Sequence, residues 1–413
     1  MTSSQPPTPD SEAVAASQAG ERLTVVVAGG GIAGVEGLLA LRALGGDLID
    51  LTLVSPGLEF VERPMTVTEP FALGHARRFP LEDVARDTQA TLIRGSVSGV
   101  APRWRSLVLE NGASVDYDAL LLTLGARLEA VIPKALTWTP DADPELLGGV
   151  LRDLEEGYAS SVAFVIPPGV AWSLPAYELA MMTSRQVAGM DRSSIEVSVI
   201  TPEHEPLADF GPHVTETLRH ELQAGHVHLR TGATLVQRGA ELQLEVNGEP
   251  VRADHIVALP RPMGVLIPGL PRDENGFIPV DRHGRVRDTE RVWAAGDAVS
   301  YPLKHGGLAA LQADAAAESI AFVAGADIEP KPFRPTLDGV LLTGERGRRL
   351  RDDAVAGAVP AGPGRPVAGK VAGRFLTPYL TRRDAAAAGL EPAPAIDHDP
   401  DPHLELGSRK DSR

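Results

Sequence analysis

The 413-residue chain carries 55 acidic against 39 basic residues, a formal charge of -16, and no cysteine. That charge repels polyanions and excludes a nucleic-acid partner, while the missing thiols exclude disulfides, thiolate metal sites, cysteine nucleophiles and dithiol relays. The apolar share of 43% supports about two or three domains, and the lack of both a membrane-length apolar run and a signal-peptide pattern at the start points to the cytoplasm.

Residues 1–20, rich in Ser, Pro, Ala and Gln, read as a disordered tail. LTVVVA at 23–28 then reads as a buried strand, followed by a glycine cluster, a helix from Ile32 to Leu44 stopped by Gly45-Gly46, and a second strand ending at Val54. This is a β-α-β unit. SLVLENGASVDY has a hairpin pattern with an Asn-Gly turn, and DALLLTLGAR at 118–127 is a strand running into Thr123-x-Gly125. A weaker echo of the first unit follows: SVAFVI at 161–166, a Pro-Pro-Gly turn, a helix through Tyr177 to Val187, and IEVSVI at 195–200. RVWAAGD at 291–297 precedes an Ala-rich helix from Leu308 to Ala324. The expected fold is α/β, with two Rossmann-like dinucleotide-binding domains, the second (131–262) inserted between the halves of the first (21–130 and 263–328). A small C-terminal segment spans 329–385, and residues 386–413, rich in Pro and Asp, form a second disordered tail.

The glycine cluster is Gly29-x-Gly31-x-x-Gly34, set between strand and helix. Gly29 permits the tight turn, Gly31 lets a pyrophosphate approach the backbone, and Gly34 lets helix and strand pack closely. Ile32 and Ala33 complete the loop at the helix N-terminus. The acidic ribose ligand expected about 20 residues on is replaced by Ser55, which is suited either to a ribose hydroxyl or to capping its own loop.

On these motifs the chain resembles the two-dinucleotide-domain flavoprotein oxidoreductases over residues 22–385. The resemblance implies FAD held between the glycine loop and a second motif, an apolar strand ending in Gly296-Asp297, with Asp297 on a ribitol hydroxyl. The Thr123-x-Gly125 segment would close the FAD domain. The next helix would point its positive end at the flavin through amides near Gly307 and Leu308. EFVERPM at 59–65, TPEHEPLADFGP at 201–212, GGLAALQA and KVAGRFLTPYL place the nearest branch at the sulfide:quinone oxidoreductases and type II NADH dehydrogenases. By that likeness Arg63 and Pro64 line the reaction site, a surface loop being the alternative. Glu178 sits near the flavin as a proton relay, with a solvated helix-face glutamate as the alternative, and Lys304 and His305 supply charge or a proton.

Two departures limit the likeness. Ala171 stands where sulfide:quinone oxidoreductases carry a redox cysteine, so persulfide chemistry by that route is excluded. Pro167, Pro168 and Gly169 replace the second domain's nucleotide glycines and remove amide donors, although Glu203 is placed to meet a ribose. The expected function is FAD-dependent electron transfer, with NAD(P)H as leading donor and a quinone or other small oxidant as acceptor. An NAD-independent flavoprotein and a flavin binder with little turnover are the alternatives. KVAGRFLTPYLTRR is read as a packed segment or as a peripheral membrane contact, and a homodimer is a further expectation.

Overall fold

A computed structural model describes residues 22–189, 195–238, 241–344, 347–351 and 370–387, so both expected tails lie almost wholly outside the described residues. Strand β1 (Leu23–Ala28) is a run of valines buried on both faces, as the interior strand of a parallel sheet requires. It leads through the glycine loop into α1 (Ile32–Gly45) and on to β2 (Ile49–Ser55). β3 (Ala90–Arg94), β4 (Ala119–Leu122) and β10 (Val292–Ala294) complete a five-stranded parallel sheet in the order β10-β4-β1-β2-β3.

All strands of a second parallel sheet come from the chain between β4 and β10. It contains β5 (Leu136–Thr137), β6 (Ser161–Val165), β7 (Glu196–Ile200), β8 (Val227–Arg230) and β9 (His255–Ala258), in the order β5-β9-β6-β7-β8. Helix α2 (Pro144–Glu156) precedes β6, with Asp143 accepting from the Glu145 amide at its start and Gly157 in the left-handed conformation at its end. Helix α3 (Leu174–Ala188) joins β6 to β7. The chain leaves and re-enters the first sheet through an antiparallel pair, Arg127–Glu129 against Arg261–Met263.

After β10 the chain turns at Gly296-Asp297 and enters α4 (Gly306–Val323), whose alanines pack closely against α1. A hairpin of β11 (Asp338–Leu342) and β12 (Gly347–Arg351) lies against α3. Helix α5 (Leu376–Ala387) returns to α1, burying Leu376, Tyr379 and Leu380 in the first sheet's core. Those side chains of the KVAGRFLTPYL stretch therefore face protein, because α1 offers them an apolar surface. No described helix is long and apolar enough to cross a membrane.

The helices differ modestly from the sequence expectation. α4 begins at Gly306, earlier than the expected Leu308, with the glycine pair at 306–307 in its first turn, and α3 begins at Leu174 with Pro175 in its first turn.

Candidate functional site

In each parallel sheet the strand order reverses beside the central strand, and the crevice outside the strand ends at that reversal is where such sheets take ligands. In the first sheet it lies between β1 and β4. Gly29, with φ of 122°, donates to Val54 O at 2.8 Å, and Thr123 closes the other side by donating from its amide and its hydroxyl to Ala28 O at 2.8 and 2.9 Å. The three glycines differ in what surrounds them. A Cβ on Gly29 would fall 2.3 Å from Thr123 O and one on Gly34 would fall 1.8 Å from Gly29 O, whereas one on Gly31 would meet nothing within 4 Å. Gly29 and Gly34 thus permit close packing, and Gly31 leaves the backbone bare towards open space.

That space is a cavity of about 570 Å³ running from the glycine loop past Ser55 and Glu59 to Asp297, and on to Trp138, Trp172 and Lys370. Gly29, Gly31, Ile32, Ala33, Ser55, Arg63, Pro64, Thr123, Gly125, Gly296, Asp297 and Lys304 all line it. Ser55 Oγ accepts from the Gly57 amide at 3.2 Å, the loop-capping reading, while the residue also lines the cavity. Arg63 reaches Asp141 at 3.0 Å near the rim. Gly34 lies behind the wall in its packing role.

The helix end differs from expectation. His305 is the extended N-cap of α4, so His305, Gly306 and Ala309 meet the cavity, while the Leu308 side chain is in the core and Gly307 leaves room for the His305 ring. The reason is the earlier start of the helix, which turns positions 307 and 308 away from the wall. Their amides still belong to the first turn, where no intrahelical acceptor exists.

The electrostatics at this end are set by burial. Lys304 Nζ donates to Val299 O at 2.5 Å and stands 3.8 Å over the Phe277 ring. Burial pushes its pKa down to about 8 against the opposing pull of Asp297 and Asp273. Burial raises the Asp297 carboxyl, and Lys304 and Arg63 oppose it. The cavity therefore pairs an acid and a base that both resist full charging.

Glu178 is completely buried on α3, so the solvated-face alternative does not hold. It does not line the cavity itself. Both its oxygens accept from Lys370 Nζ at 2.6 Å, and Oε1 accepts from the Leu342 amide at 2.8 Å. Burial raises its pKa, and the Lys370 ammonium is the chief opposing influence. Lys370, absent from the sequence expectations, is the member of this pair that reaches the cavity wall.

Two further buried carboxylates fix the segment that carries Lys370. Glu62 accepts from the Lys370 amide at 3.0 Å and from Arg77 Nε at 2.7 Å, while Glu36 on α1 accepts from the Phe375 and Leu376 amides at 2.8 and 2.6 Å, capping α5. The EFVERP motif thus contributes twice, through Arg63 and Pro64 at the cavity and through Glu62 behind it.

The second sheet's crevice is built differently. At the end of β6, Pro167 and Pro168 offer no amide donors. Glu203, beyond β7, accepts from Ser173 Oγ at 2.9 Å, from Thr201 Oγ1 at 2.9 Å and from the Tyr177 hydroxyl in a short bond. Hydroxyls from the start of α3 and from Thr201 thus take up much of the acceptor capacity expected to meet a ribose. What remains outside is an open groove between Pro168, Pro202, His204 and Arg261.

Residues 173–319 match the family model described as pyridine nucleotide-disulphide oxidoreductase, a span from the start of α3 through the Asp297 turn into α4. Among solved structures, the chain is similar to the sulfide:quinone oxidoreductase of the hyperthermophilic bacterium Aquifex aeolicus, with TM-score 0.71, 18% identity, and 81% of this chain and 85% of that one covered. It is also similar to an NAD-dependent persulfide reductase of A. fulgidus (TM-score 0.58, 18% identity, 79% and 63% covered). A ferredoxin reductase of Rhodopseudomonas palustris matches with TM-score 0.58 and 19% identity over 79% of this chain and 81% of that one.

Proposed function

We propose that this chain is an FAD-dependent oxidoreductase whose flavin exchanges electrons with small molecules admitted at the tryptophan end of the cavity, with no pyridine nucleotide held at the second sheet; the partial match to the pyridine nucleotide-disulphide oxidoreductase model and the lining of the cavity support this reading. The residues present fit FAD. The bare backbone at Gly31 and the first-turn amides of α1 suit the pyrophosphate, Ser55 and Glu59 the adenosine ribose, and Asp297 the ribitol. The first turn of α4 brings its positive end to the ring system. When bound, flavin supplies the capacity to accept electrons in pairs and release them singly or in pairs.

The remaining chamber is lined by Trp138, Trp172, Leu174, Pro175 and Val340, with the Lys370 ammonium on one wall. Those walls suit a planar, largely apolar molecule with an oxygen for Lys370 to meet, such as a quinone. Lys370 Nζ holds a proton at the wall, and Glu178 behind it keeps that proton in place. With no cysteine in the chain, electrons leaving the flavin pass to the substrate directly.

One observation carries the exclusion of pyridine nucleotide from the second sheet: the carboxylate suited to its ribose is occupied by Ser173, Tyr177 and Thr201. Purified protein is expected to be yellow. Anaerobic NADH or NADPH is expected to leave the flavin absorbance unchanged over minutes, while a soluble quinol reduces it. Prompt bleaching by either nucleotide would return NAD(P)H to the position of donor.

A further inference from the structure

The cavity wall contains a histidine with an unusual seat. His305 caps α4, and its ring stacks on Trp172 at 4.6 Å between centroids, with Phe210 on the far side of the tryptophan at 5.5 Å. Two glycines make room for the ring. A Cβ on Gly307 would lie 3.0 Å from Cε1 and 3.2 Å from Nδ1, and one on Gly339 would lie 4.0 Å from Nε2. The imidazole is buried, yet Nδ1 has no hydrogen-bond partner among the described residues. A buried nitrogen without a partner is costly, and this one lines the cavity, where a ligand can meet it.

The charged groups around it come from four elements. Lys370 faces it from the C-terminal segment, and Lys370 is itself paired with Glu178 of α3; Asp338 faces it from β11, where Arg349 holds that carboxylate. Lys304 and Asp297 lie on the approach to α4, along the same wall. Burial first, then the Lys370 charge, press the imidazole towards its neutral form and take its pKa down to about 4, with Asp338 opposing. Among the described residues no carboxylate is paired directly with the ring, so the protonation state answers to whatever charge next occupies the cavity beside the N-terminus of α4.

We propose that His305 is a redox-linked proton site: its imidazole is neutral while the flavin is oxidised, and it binds one proton from solvent when two electrons arrive on the flavin. The electrons remain on the cofactor, the imidazole becomes imidazolium, and no covalent bond of the protein breaks. The added negative charge is what reverses the balance set by burial and Lys370. The inference rests on FAD occupying this cavity, and it adds a role for His305 that is separate from substrate identity.

The test compares holoenzyme with His305→Gln, which keeps a neutral hydrogen-bonding group but cannot take the charge. The flavin midpoint potential is followed between about pH 5 and 8. The sign follows from linkage: above the oxidised-state pKa and below the reduced-state pKa, only the reduced wild type carries the imidazolium. Its potential should therefore rise on acidification with one more proton per electron pair than that of H305Q, the two slopes merging at higher pH. Photoreduction in weak buffer with an indicator dye should show wild type taking up about one proton more than the variant near pH 6. Equal slopes and equal uptake overturn the proposal. If H305Q does not retain flavin, the reduced-minus-oxidised infrared spectrum of wild type with 15N-labelled histidine decides: imidazolium bands on reduction support it, and their absence overturns it. A colourless protein that refuses FAD would instead overturn the assignment of the cavity.

Discussion

The crevices of the two sheets share a design and differ in a handful of residues. Beside β1 the chain places glycines that clear space for packing at 29 and 34 and bare the backbone at 31, and the cavity stays open. Beside β6 it places Pro167 and Pro168, and the carboxylate that follows β7 is filled by hydroxyls of its own domain. Both sheets remain fully parallel and well packed. Strand pairing and core burial therefore preserve the fold at both places, while ligand capacity depends on loop residues that the core does not constrain.

The strongest way to break the comparison is at Gly34. Gly34→Ala drives a methyl into Gly29 O and is expected to destabilise by about 1–3 kcal/mol and to abolish flavin retention, whereas Gly31→Ala keeps the fold and only weakens binding. The ratio of flavin to protein absorbance after gel filtration reads this directly. Full flavin content in G34A would mean the β1 loop is no pyrophosphate cradle.

The largest expected effect on folding stability itself lies at the buried ion pair. Lys370→Met leaves Glu178 buried without its cation and should cost about 3–5 kcal/mol in denaturant unfolding, and a second change, Glu178→Leu, should recover part of that loss. No recovery in the double variant would show that the two residues act independently. Asp297→Ala should raise the flavin dissociation constant about tenfold, near 1.4 kcal/mol, by fluorescence titration of apoprotein. An unchanged constant would remove Asp297 from the cofactor site.

The smallest effect lies at the second crevice. Combining Pro168→Gly with Tyr177→Phe and Ser173→Ala frees much of Glu203 and restores an amide donor. It should leave flavin content unchanged and permit slow bleaching by NADH. If the triple variant and wild type respond to NADH alike, the loop and the carboxylate are not what separates the two edges.

Much of the first site was legible in the sequence because each of its residues has a local reason to be there. The glycines answer to steric demands within one β-α-β unit, and Asp297 follows a buried strand at a sharp turn. Lys370 had no such local signal. Its meaning comes from Glu178, 192 positions earlier in the chain, and KVAGRF shows only a short apolar pattern. Glu203 was readable as an acid after a strand but not as an occupied one, since Ser173 and Tyr177 reach it only once α3 has folded over β7. Glu178 was identified by likeness, and its burial follows from β11, whose contact with α3 no periodicity announces.

The clamp on residues 370–376 also has a consequence for how the protein is made. Glu36, Glu62 and Glu178 come from α1, the loop after the first β-α-β unit, and α3, and all three are sealed from solvent in the finished molecule. Their partners on the 370–376 segment are synthesised long after them. Until that segment is made, Glu62 keeps only Arg77 and Glu178 only the Leu342 amide of the partners described above, and the chamber lacks a wall. Closure of the wall therefore depends on the segment at 370–376, and a product clipped before it leaves Glu36, Glu62 and Glu178 without these partners.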